Sequence, residues 1–322
     1  MSVPAAYLAV IAIWSTTPLA IQWSTLGSSF SFAVMSRMLL GLAVCGALLM
    51  ARRVLRQDRP KGECLAAYSL RVRMPFHRAA RAVYTVGGLT LAASMLCTYW
   101  GAQHIPSGLI SVIFGLSPLA TSVFATLWLR EHALTRLRLA GLALGIAGLW
   151  VIFGQPWPGE GDAAAGTAAV LGGMTLQALG LVWIKRIVTQ HGQAQFSSLA
   201  ITTGTLAVAT PLFVLSWLVF DRGTLPPQLT PRAVVAIAYL GVLGSVVGFT
   251  LYYYVIKHLD AGRVALITLV TPVTALLLGQ TLNHERIPAS GWLGIALTGA
   301  GLMLYEWQTL RQVKERPDER AA

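Results

Sequence analysis

Tyr99-Trp100-Gly101-Ala102-Gln103-His104-Ile105-Pro106-Ser107-Gly108 is answered, 154 positions later, by Tyr253-Tyr254-Val255-Ile256-Lys257-His258-Leu259-Asp260-Ala261-Gly262. At the same offset Ile113 meets Ile267, Pro118 meets Pro272 and Glu131 meets Glu285. One residue out of step, the glycine-rich run from Gly141 to Gly148 meets the run from Gly294 to Gly301. Tyr, His, Pro and Glu recur in order, so the chain reads as a duplicated unit.

The composition says what solvent surrounds that unit. Of 322 residues, 55% are hydrophobic and 11% charged, against about 25% charged in a soluble domain. This excludes an ordinary soluble enzyme, a disordered chain and a disulfide scaffold. A membrane-spanning helix needs about 20 apolar residues, and long apolar runs nearly free of charge predict ten: 5–23, 32–51, 82–102, 107–128, 137–154, 167–187, 197–220, 233–255, 262–282 and 289–307. They are apolar on every face and do not alternate, so they read as helices and not as barrel strands. The expected class is all-α integral membrane, with a first five-helix repeat over 1–155, a second over 165–310 and a tail at 311–322. Five is odd, so the second repeat enters the membrane upside down.

The net charge of +12 reports topology. With the N-terminus inside, 20 of the 24 Lys and Arg fall in inside segments or at the span ends that meet them, three fall outside (Arg222, Arg232, Arg286), and Arg37 alone lies well inside a span. That is a positive-inside pattern placing both termini in the cytoplasm, and it removes nucleic acid as the partner of the basic residues. The basic segment 52–81 is the main topology determinant and a candidate contact for anionic lipid. Met1-Ser2-Val3-Pro4 offers no positive n-region, so the first helix is expected to be uncleaved. Cys45, Cys64 and Cys97 have no metal or redox spacing.

Inverted repeats are a sequence sign of secondary transporters, whose substrate site lies near the midplane between the halves. With this pattern the chain resembles the drug/metabolite transporter superfamily, specifically its EamA-type members, over 5–307. The residues that carry the resemblance are Ile13-Trp14-Ser15 in helix 1, Ser36-Arg37-Met38-Leu39-Leu40 in helix 2, Pro118 and Pro272 followed by Glu131 and Glu285, and the glycine-rich helices 5 and 10. The resemblance implies a ten-helix carrier of the bacterial inner membrane that moves small organic solutes, often outward. The sequence departs from the pattern in two places. Gln177 stands opposite Trp14, and Arg37 has no counterpart in helix 7.

An intramembrane charge costs roughly 2.5–3.5 kcal/mol on insertion scales and is functional by default, which puts Arg37 first among candidate substrate-binding residues. Trp14, Tyr99, Gln177, Trp183 and Tyr253 complete the set, because aromatic faces and an amide suit amphipathic or amine-bearing solutes. Trp23, Trp128, Trp157 and Trp307 lie near span ends and read as an interfacial belt. Pro118 and Pro272 free a backbone carbonyl each and are candidate hinges. Glu131 and Glu285 read as structural helix-end residues, and none of the twelve acidic residues lies mid-span. His104 and His258 sit at opposite faces. Glycines 141, 145 and 148, and 241, 244 and 248, offer close helix contact.

No nucleophile elbow, His-Glu-x-x-His or phosphate loop is present, so an enzyme, a metal centre and an ATP drive are not expected, and no cofactor is implied. The expected partners are a small-molecule substrate and the lipid bilayer, as a monomer or homodimer. The function expected is export of amino acids, amines or related amphipathic metabolites by alternating access. An intramembrane lipid-modifying enzyme and a passive channel are the alternatives.

Overall fold

A computed structural model describes residues 2–54, 77–129, 135–153, 162–191, 198–259, 261–285, 287 and 289–314. Every regular element among them is helical. In chain order these are α1 (Val3–Ser24), α2 (Phe30–Val54), α3 (Arg78–Gly101), α4 (Ser107–Gly115), α5 (Ser117–Leu129), α6 (Arg136–Phe153), α7 (Ala163–His191), α8 (Ser198–Phe220), α9 (Pro231–Tyr239), a π-helical stretch (Leu240–Val247), α10 (Gly248–His258), α11 (Ala261–Asn283) and α12 (Ala289–Lys314). Among the described residues eight stretches are long and apolar enough to cross a bilayer. The fifth and tenth spans are α6 and α12. The chain is a ten-helix membrane protein built of two inverted five-helix repeats.

Two spans are not the plain helices their hydropathy predicts. The stretch expected as one helix over 107–128 is two, because Pro118 has no N–H to return to the preceding turn. The break falls at Leu116, whose N–H closes α4 onto the carbonyl of Ile113 (3.0 Å). Span eight, expected as an unbroken helix, turns π-helical in its middle, where Ser245 Oγ donates to the Leu240 carbonyl five residues back (2.9 Å). Pro272, in contrast, lies inside a continuous α11. There Thr271 Oγ1 donates to the Ile267 carbonyl (2.7 Å).

The packing repeats under exchange of the halves. Span 3 lies on span 6 as span 1 lies on span 8. Span 3 lies on span 7 as span 2 lies on span 8, and span 1 lies on span 9 as span 4 lies on span 6. Spans 2 and 7, 4 and 9, and 5 and 10 pack on their own counterparts. At the last of these, α6 against α12, glycines bring the two backbones into contact. A Cβ on Gly141 would stand 2.6 Å from the Gly301 carbonyl oxygen, and one on Gly301 would stand 2.6 Å from that of Gly141. Such close approach gains dispersion contact where lipid offers no hydrophobic drive. Where spans 4 and 9 cross, Gly115 faces Pro272, with 3.1 Å left for a Cβ. The motif of the opening repeat also recurs in three dimensions. His104 Nδ1 bonds the Trp100 carbonyl (3.0 Å) and His258 Nδ1 the Tyr254 carbonyl (2.8 Å), each ring lying on the aromatic four residues back.

Candidate functional site

Arg37 sits two turns into α2 and is 6% exposed. Its Nε donates to Ser245 Oγ on the π-helical stretch (3.2 Å), and Nη1 donates to Tyr99 Oη on α3 (3.3 Å). Nη2 faces Gly244, whose bare Cα leaves space: a Cβ there would lie 3.6 Å from Nη2 and 3.9 Å from Thr17 Oγ1 on α1. Among the described residues no carboxylate pairs with Arg37. The guanidinium is thus held where α1, α2 and α3 of the first repeat meet span eight of the second, by two hydroxyls only. Tyr99 is fully buried.

The π geometry has a local purpose. Ser245 spends its proton on the Leu240 carbonyl, so its oxygen is left to accept from Arg37. Gly241, Gly244 and Gly248 keep the same stretch thin enough for α1 and α2 to approach. Leu40 lies against Gly241, and Trp14 Nε1 would lie 3.4 Å from a Cβ on Gly248. π-Helical insertions of this kind concentrate at functional sites.

Trp14 forms an aromatic wall with Tyr252 (ring centroids 4.6 Å apart) and Phe249 (6.3 Å, edge to face). Next to Trp14 in the chain, Thr16 Oγ1 and Tyr239 Oη are hydrogen-bonded at 2.5 Å, and Ser15 bonds Thr274. Gln177 lies elsewhere, on the seam between α3 and α7, where Ser94 Oγ donates to its Oε1 (3.5 Å). Trp183 is 42% exposed and meets the ring of Trp128 edge to face. It is remote in packing from the Arg37 cluster. Tyr253 lies on α10, but its side chain is outside the described residues, as is Glu131 and most of the basic segment 52–81. A cavity of about 360 Å³ opens between α5, α6 and α7, walled by Leu116, Leu119, Leu142, Leu149, Trp150 and Thr175. Its wall is mostly apolar and includes no partner of Arg37.

A second polar cluster ties three spans at one membrane face. Glu285 accepts from the backbone N–H of Ser107 through Oε1 (3.0 Å) and of Gly108 through Oε2 (3.4 Å), at the start of α4. The α4 N-cap is Pro106, which offers no side-chain cap of its own, and a carboxylate there also meets the positive end of the helix dipole. Asn283 Nδ2 donates to Glu285 Oε1 (2.9 Å) and to Gln22 Oε1 (3.0 Å), while Trp23 Nε1 donates to Asn283 Oδ1 (3.1 Å). Gln22 Nε2 in turn donates to the Ile105 carbonyl (2.6 Å). Sequence reasoning named Arg37 and Glu285 but not Ser245, Thr17, Tyr252, Gln22 or Asn283. The triple glycine of span eight was the one available pointer to the Arg37 cluster.

The site thus sits in a ten-span inverted-repeat bundle with a buried cation between its halves, and comparison with known proteins identifies the family. The sequence profile of the EamA-like transporter family matches residues 3–154 and 165–307, so the chain belongs to that family. Its relatives include the inner membrane transporter YedA of Escherichia coli K12, 27% identical over 201 residues. That match covers 61% of this chain and 60% of YedA's length. A protein of Streptantibioticus cattleyicolor named "Probable terminal-alkyne amino-acid exporter" is 29% identical over 78% of this chain and 81% of its own. One of Escherichia coli K12 named "Probable amino-acid metabolite efflux pump" is 25% identical over 67% of this chain and 74% of its own. A solved crystal structure shares the fold, with a TM-score of 0.60 over 97% of this chain and 98% of its own at 19% identity.

Proposed function

We propose that this membrane transporter is a secondary carrier that exports small metabolites, amino acids, amines or related amphipathic compounds, by alternating access. The observation that carries this reading is Arg37, a buried guanidinium at the junction of the two repeats that no carboxylate among the described residues pairs. A charge kept in that position costs energy that structure alone does not return, and midplane sites between inverted repeats are where carriers bind. The aromatic wall of Trp14, Tyr252 and Phe249 supplies apolar surface beside it. The relatives named as exporters or efflux pumps of amino acids and their metabolites favour the outward direction.

In this reading residues 1–155 and 165–310 are the rocking units. The bacterial inner membrane is the location, with both termini cytoplasmic. That orientation puts Gln22, Asn283 and Glu285 on the outer side, where their bonds to α4 keep the site shut from outside. Pro118 and Pro272, at the crossing of spans 4 and 9, are the hinge positions. Gln177, Trp183 and Tyr253 remain candidate cavity residues for states in which the spans have moved apart.

Counterflow in proteoliposomes tests the proposal. Radiolabelled amino acids are presented outside vesicles preloaded with the same unlabelled compound. Accelerated uptake that Arg37→Ala abolishes is the expected result. Flux without exchange acceleration would make the protein a channel, and flux unaltered in Arg37→Ala would remove Arg37 from the site.

A further inference from the structure

A guanidinium carries five N–H donors in a fixed planar fork. Arg37 uses one on Nε toward Ser245 and one on Nη1 toward Tyr99. Nη2 has no acceptor among the described residues. Tyr99 Oη must act as acceptor toward Arg37, because arginine can only donate. Among the described residues the Tyr99 O–H, in a fully buried side chain, is given no acceptor. Three features thus meet here: the Nη1/Nη2 edge of the fork, the Tyr99 hydroxyl on Nη1, and Gly244, where a Cβ would lie 3.6 Å from Nη2. Every unmet group is a donor, and the charge is positive.

We infer that Arg37, Tyr99 and Gly244 form a carboxylate subsite, in which a substrate carboxylate lies end-on against Nη1 and Nη2 and accepts a further bond from Tyr99 Oη. Planar bidentate pairing is the geometry that arginine matches and lysine does not. Ser245 acts as a positioning residue. By holding Nε it turns the opposite edge of the fork toward Gly244. The π-helical stretch therefore sets the direction in which the cation points. Trp14, Tyr252 and Phe249 then receive the apolar part of the same solute. This rests on the transporter reading above and narrows it: the recognised end is the acid, and an amino group is optional.

The test uses three probes with one branched chain: leucine, 4-methylpentanoate (no amine) and isopentylamine (no carboxylate). Binding to purified protein is followed by tryptophan fluorescence, with chloride as a competing anion, and transport of the same probes is measured by counterflow. Leucine and 4-methylpentanoate are expected to bind about ten- to a hundredfold tighter than isopentylamine, the scale of hydrogen bonds to a charged group. Arg37→Gln should erase that preference, and Tyr99→Phe should reduce it severalfold with the fold intact. Gly244→Ala, whose methyl group meets only ordinary contacts, should weaken both acids without lowering the melting temperature. Equal binding of all three probes, no binding of either acid, competition by chloride as strong as that of the acids, or a preference that survives Arg37→Gln each overturns the subsite. Carboxylate-selective binding without counterflow would uphold the subsite and refute the carrier. Counterflow of isopentylamine untouched by Arg37→Gln would do the reverse.

Discussion

Arg37 Nη1 donates to Tyr99 Oη across 3.3 Å, joining the second span to the third through two residues that both lie inside the bundle. Two other side chains fix the geometry from the opposite repeat: Ser245, which accepts from Nε, and Gly244, which keeps Nη2 uncovered. Because the cation is held by neutral groups, changes around it separate its orientation from its charge.

Ser245→Ala keeps the charge and removes the Nε acceptor. One hydrogen bond to a charged group is worth about 1.5–3 kcal/mol. The fork is then free to turn, and transport in the counterflow assay should fall by about tenfold. The folded yield by size-exclusion chromatography should be unchanged. Ser245→Thr, which retains the hydroxyl, should recover part of the loss.

Glu285→Ala strips α4 of the acceptor for Ser107 and Gly108 and leaves Asn283 without one of its partners. Loss of a cap costs about 0.5–2 kcal/mol, so the melting temperature in detergent should drop modestly. The larger effect is on access. With Cys45, Cys64 and Cys97 replaced by alanine and a single cysteine at Thr17, an impermeant maleimide added from outside should label the Glu285→Ala protein faster than its parent. Equal labelling rates would show that this cluster does not close the site.

Gly141→Leu places a side chain where a Cβ alone would already stand 2.6 Å from the Gly301 carbonyl oxygen. Overpacking costs about 1–3 kcal/mol, and more when backbone must move, so α6 and α12 should separate and the protein should aggregate on solubilisation. Gly46→Leu, at a position with nothing within 4 Å of a Cβ, is the control and should purify normally.

Pro118→Ala restores an N–H to the junction of α4 and α5. A mid-helix proline costs about 3 kcal/mol, so the variant should melt at a higher temperature while binding is retained. If the break is a hinge, turnover should fall. Turnover equal to the parent at higher stability would make Pro118 a packing feature only.

The ten spans were legible because each is a continuous apolar run, and the inversion because an odd number of them separates Tyr99 from Tyr253. Arg37 stood out because a charge is conspicuous in such a run. Its partners did not, since serine, threonine and glycine are common in membrane helices and carry no sign of whom they face. The π-helical stretch was invisible for a similar reason: Leu240–Val247 has the same hydropathy in either register, and only its backbone in three dimensions reveals it. Glu285 was legible as a helix-end residue, but its acceptance of α4 backbone N–H groups is a contact between residues about 180 apart in sequence. Trp183 and Trp14 are alike as letters, and they differ only in that one packs on Tyr252 and the other on Trp128.

The glycine seam between α6 and α12 is self-complementary: Gly141 and Gly301 each receive the other's carbonyl oxygen where a side chain would be. A surface of that kind recognises its own mate without help from a connecting peptide. Residues 1–155 and 165–322, produced as separate chains and inserted in opposite orientations, should therefore find one another and rebuild the bundle, which makes the covalent link between the halves a device for fixing their orientation and stoichiometry and not a source of their affinity.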